Sequence, residues 1–104
     1  MSNSKIELDL EMAYRLLLAN RNRAGMPPPA PLSEHWRSAI DAAVGEIKSR
    51  GIALSNSTDD LMLIADYASF KLDAREKGGA MPDWLRSALA QRWRTQYLRE
   101  GAAE

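Results

Sequence analysis

The sequence predicts an all-α protein, a small four-helix domain ending in an antiparallel helical hairpin. Three observations carry that prediction. Apolar residues recur at spacings of three and four through most of the chain. Helix start and stop signals bracket those runs, with Ser33 and Ser57 ahead and Gly51 and Gly78-Gly79 behind. The strand-like alternation of Ile6, Leu8, Leu10 and Met12 is short and leads into the helix-forming "AYRLLLANR".

The first helix is expected over Glu7 to Asn22. "SKIE" offers a capping box, with Ser4 as cap and Glu7 at the third helical position. The alternation leaves Met1 to Leu10 open between helix, strand and disorder. Next comes "GMPPPAPL", Gly25 to Leu32, where consecutive prolines remove donors and hold the chain extended. It reads as a stiff spacer. The sharper alternative is a docking motif for a proline-recognition domain, but the pattern is short and lacks a basic anchor.

Ser33 is the expected cap of a second helix from Glu34 to Arg50, and Gly51 stands where a left-handed terminator belongs. Trp36, Ile40, Val44 and Ile47 form one core stripe. "GIALSNS" leaves room for a brief extended segment. Ser57 then caps a third helix, with Asp60 three residues later and acids at the positive end of the helix dipole. That helix runs to Lys77 and stops at Gly78-Gly79. Pro82 fits the first turn of a fourth helix, where its missing donor costs nothing, and this helix continues to Arg99. A short tail, 100–104, follows. "KGGAMP" is therefore the punctuation of a helical pair.

The 104 residues fit a single domain, and 45% apolar content is that of a globular chain. Fourteen basic residues balance fourteen acidic ones. No whole-chain field draws the protein to nucleic acid or membrane. Cysteine is absent, which excludes disulfides, thiolate metal sites and cysteine nucleophiles. The charged first residues do not form a signal peptide, and no apolar run reaches a membrane span. The expectation is a soluble intracellular protein without membrane contact.

The third helix carries more apolar surface than one stripe. Leu61, Ile64, Ala65, Ala68 and Leu72 fall on one face; Leu63, Tyr67, Phe70 and Ala74 fall on a second. Either this is the central helix of its own domain, or one stripe meets another copy. Asp59, Asp66 and Asp73 form an acidic edge between the stripes. They stand roughly 10 Å apart, too far for one metal to bridge. A solvated face is the plain reading, and contact with basic residues of a neighbouring subunit the alternative. The fourth helix carries Trp84, Trp93 and Tyr97 with Arg86, Arg92, Arg94 and Arg99. Aromatics with arginine are the composition of interaction hot spots and also of some nucleic-acid faces. Trp84 and Trp93 are open between core and interface. The expected partner contacts are Leu63, Tyr67, Phe70, Trp93, Arg94, Tyr97 and Arg99.

Chemistry finds little foothold. His35 is the single histidine, without a second ligand or an adjacent nucleophile. Glycine spacing fits neither common phosphate loop. No catalytic, cofactor or metal residue is expected, and no enzyme. A small enzyme or accessory subunit would need a buried carboxylate beside His35. A helix-turn-helix-like DNA regulator is the other alternative. Segment 80–104 has four basic and three acidic residues, net +1, a weak field for phosphate.

"DDLMLIADYASFKLDAREKGGAMPDWLRSALAQR", Asp59 to Arg92, resembles the small helical head–tail connector, or neck adaptor, proteins of tailed phages and prophages. The likeness lies in "DLMLIADYASF", the break at Arg75 to Gly78 and the "MPDWL…R" restart. It covers roughly the C-terminal half, and the proline-rich segment is no part of it. The resemblance implies a structural role. Subunits would form a homo-oligomeric ring on the portal protein, extend the DNA channel and receive the next neck or tail protein, with no cofactor and no reaction. The location implied is the virion neck, and the host cytoplasm during assembly. In a ring each subunit uses two different surfaces, a heterologous contact closed by rotation.

Overall fold

The computed structural model describes residues 8–21 and 29–103, and these residues form an all-α domain of four helices with no strand. They are α1 (Leu10–Arg21), α2 (Ala30–Ser49), α3 (Thr58–Lys77) and α4 (Asp83–Ala103). Helix α1 starts three residues later than its sequence suggests. The Asp9 carboxylate accepts from the Met12 backbone N–H at 3.1 Å, so Asp9 supplies the cap. The Asp9 N–H donates to Asn56 Oδ1 at 2.6 Å, tying this end to the loop before α3. The Ser4–Glu7 capping box and Asn22 lie outside the described residues.

Helix α2 begins at Ala30, four residues before the expected Glu34, with Pro29 as its cap residue and Pro31 in the first turn. A proline there forfeits no helical bond. The end of the proline-rich segment is therefore helix, not spacer, while residues 25–28 lie outside the described residues. Ser33 is not the cap: its N–H donates to the Pro29 carbonyl at 2.9 Å, and its hydroxyl meets that of Tyr14 on α1. The expected stripe holds. Ile40 and Ile47 are buried with Ala39 and Ala43, and Trp36 and Val44 pack at its margin. Helix α2 stops at Gly51, whose φ of 90° is the left-handed turn anticipated there. In the linker after it, Ile52 and Leu54 turn inward while Ala53 faces out.

Helix α3 is the axis of the domain. Ser57 caps it, accepting from the Asp60 N–H at 3.1 Å, and Gly78, with φ 74°, closes it through a bond to the Ala74 carbonyl. Helices α1 and α2 pack against it from two directions. On the α1 side, Arg21 bonds the Ser69 hydroxyl at 2.9 Å and Asp73 at 3.1 Å. On the α2 side, Tyr67 donates to Glu46 at 2.9 Å and Lys71 pairs with the same carboxylate. Leu85 and Leu89 add α4 to the core. That three-sided enclosure explains the two apolar stripes. Leu61, Ile64, Ala65, Ala68 and Leu72 are buried, and so are Leu63 and Tyr67.

Beyond Gly78 the chain reverses. Arg92 in α4 meets Asp60 in the first turn of α3, a contact compatible with the expected antiparallel pair.

Candidate interaction surface

Helix α4 attaches to the domain in two ways. Its first half buries Leu85 and Leu89. Its second half uses polar groups. The Arg92 guanidinium donates Nε to Asp60 Oδ1 at 2.7 Å and Nη2 to Asp60 Oδ2 at 3.0 Å. Nη2 also reaches the Ala53 carbonyl at 2.6 Å. Gln96, one turn on, takes the Ala53 N–H at 2.7 Å and donates to the Gly51 carbonyl at 2.9 Å. Two α4 side chains thus grip the 51–55 linker. The bidentate fork fixes the angle as well as the distance.

Asp60 is the buried charged residue among those described. Burial raises its pKa, but hydrogen bonds from Arg92 and from the Ser55 N–H and hydroxyl outweigh that, and its carboxyl sits below the ordinary value. The Asp60 hydrogen bond and charge in turn raise Arg92. The sequence marks Asp60 only as a capping residue. Its carboxylate turns instead to Ser55 and Arg92, thirty-two positions away, and local spacing carries no signal of that.

With Arg92 and Gln96 facing inward, the neighbouring positions face out. Trp93 is 45% exposed, Tyr97 61% and Leu98 63%. The two rings stack, centroids 5.3 Å apart and planes 6° from parallel. Trp93 rests beside Gly51, where the indole Nε1 would lie 3.3 Å from any Cβ. Arg94, the next residue after Trp93, is also exposed. At the other end of α4, Trp84 is 58% exposed. Apolar exposure clustered in this way on one helix is the kind of feature that interaction surfaces carry.

The expected contact residues divide. Trp93, Arg94 and Tyr97 lie together on the open flank of α4. Leu63 and Tyr67 do not belong with them. They are sealed in the core because α4 and the α2 side chains cover that face of α3, so they are corrected to structural residues. Phe70 is partly buried and meets the Tyr67 ring edge-on at 6.0 Å. The Arg99 side chain lies outside what is described. The acidic edge is also bound within the chain: Asp73 pairs with Arg21, and Asp66 accepts from Asn20 at 3.5 Å. Leu98 joins this surface and Trp84 is exposed at the far end of the helix, and neither was among the expected contacts.

His35 is exposed on α2, facing the Phe70–Arg75 half of α3, whereas buried Asp60 is in the first turn. Among the described residues no group of three or more His, Cys, Asp or Glu could hold a metal, and no helix is long and apolar enough to cross a membrane. No protein-family model, curated protein or solved structure matches this chain.

Proposed function

We propose that this chain is a structural subunit of a phage or prophage head–tail connector ring, docking on the portal and extending the DNA channel toward the tail. The observation that carries the reading is the stacked, exposed Trp93–Tyr97 pair on α4, beyond the last core leucine, Leu89. The domain is closed without these rings, and paired aromatics flanked by arginine are what protein interfaces are built around. The connector assignment itself rests on the sequence resemblance over Asp59 to Arg92.

The DNA-regulator alternative loses support. Arg92 is committed to Asp60, and Arg86 is shared with Asp83 at 3.1 Å, which thins the basic face such a helix needs. Electron microscopy of the purified chain with the portal protein of the phage or prophage that carries it tests the proposal. A ring of this protein on the portal is the expected result, and a bare portal defeats it.

A further inference from the structure

We propose that Trp84, with Asp83 beside it, inserts into the groove between α2 and α3 of a second copy of this chain, joining subunits head to tail. The inference rests on the reading of the protein as an assembly subunit, and it names which two surfaces meet.

The groove is the receptor. It runs between α2 and the C-terminal half of α3, with a volume of about 580 Å³. Ala39, Ala42, Phe70 and Leu72 give it an apolar lining, and Lys71 and Arg75 stand beside them. Arg75 is exposed, and Lys71 shares Glu46. An apolar slot with cationic side chains selects an apolar group that carries a carboxylate next to it.

The start of α4 presents that combination. Trp84 is more than half exposed, and the Asp83 side chain is 95% exposed. Pro82 precedes them with its fixed φ. Arg86 holds the turn by bonding both Asp83 and the Met81 carbonyl, at 3.1 and 3.2 Å. The Asp83–Arg86 pair is solvated on both sides, so Asp83 can exchange partners at small cost.

Placement makes the contact intermolecular. Trp84 lines the recess on the Asp66, Ser69 and Asp73 side of α3. Phe70 and Ala74 line both recesses, but the groove opens beyond them on the Lys71 and Arg75 side, a large rotation from Asp66 and Asp73 by the helical repeat. Donor and receptor surfaces therefore point in different directions from one subunit, which is the condition for a heterologous contact that repeats from copy to copy.

The natural absence of cysteine allows a clean test. Two single variants, Ser38→Cys in the groove and Ser87→Cys one turn after the tryptophan, are checked for native helicity by circular dichroism and mixed under mild oxidation. The expected result is a disulfide-linked heterodimer well above the homodimer yield of either variant alone. Adding Trp84→Ala to the Ser87→Cys chain should lower that yield on the order of tenfold, the scale of removing an aromatic anchor. A mixture no more cross-linked than its components overturns the contact, including the case where the groove takes a foreign partner. If portal-bound rings still form, only this contact falls. An enriched cross-link without portal-bound rings keeps the contact and removes the neck role.

Discussion

Asp60 and Asp66 are two carboxylates on one helix whose surroundings push them in opposite directions. Asp60 is ionised against Arg92 and held below the usual carboxylate range, so it contributes stability above its unfolded-state pKa. That contribution is lost as pH falls through the lower, folded value. Asp60→Asn should destabilise the domain by about 2–3 kcal/mol, since Arg92 keeps its charge and loses its fork partner. Asp66 is half-buried beside Asn20, and burial raises its pKa. Its ionised form is disfavoured in the fold, so stability rises as pH falls from neutral through the raised value. Asp66→Asn should stabilise the domain at neutral pH by about 0.5 kcal/mol and abolish that rise. Urea titrations of both variants across the acid range read the two opposite slopes. A common slope would refute the assignment. Neither behaviour is legible in the sequence, where Asp60 reads as a capping residue and Asp66 as one of three evenly spaced edge acids. Asp60 is decided largely by Arg92, thirty-two positions on, and Asp66 by the burial that tertiary packing imposes.

At the scale of elements, punctuation was legible wherever a backbone conformation demanded a residue type. Ser57 caps α3, and Gly51 and Gly78 take the positive φ that side chains avoid. Ser33 misled because a serine before an apolar stripe is the commonest start signal, yet Pro31 leaves the earlier turn helical and Ser33 lies inside it. The stripe on α2 needed only periodicity, since one neighbour covers it. The two stripes on α3 could be seen but not assigned, because periodicity records that a face is apolar and not whose side chains cover it. The fourth helix was the least legible. Arg92 looked like part of an exposed arginine row, but with Gln96 it is the means by which α4 grips the linker. An exposed arginine and a buried, paired one have the same local sequence.

The whole molecule is longer than its mass requires. Its radius of gyration is 14.7 Å and its extents are 48 × 34 × 20 Å, against about 13 Å for a compact domain of this length. The reason lies in α4, which continues to Ala103 although its last core leucine is Leu89. Tyr97 and Leu98 therefore sit just past Gln96, the last side chain bonded to the linker, with Trp93 on the outer flank beside them, where their removal should spare the fold. Trp93→Ala loses the contact beside Gly51 and the stack on Tyr97, a cost of about 1 kcal/mol or less. Tyr97→Ala loses only its share of the stack. Thermal unfolding of either variant should shift by no more than about 4–8 °C, the shift that 1 kcal/mol produces in a chain of this size. Association with portal or with another copy should weaken by tenfold or more, since aromatic anchors dominate such contacts. Calorimetry and sedimentation on the same samples separate the two effects. If stability and association fall together, the rings belong to the interior and this end of α4 is not a docking surface.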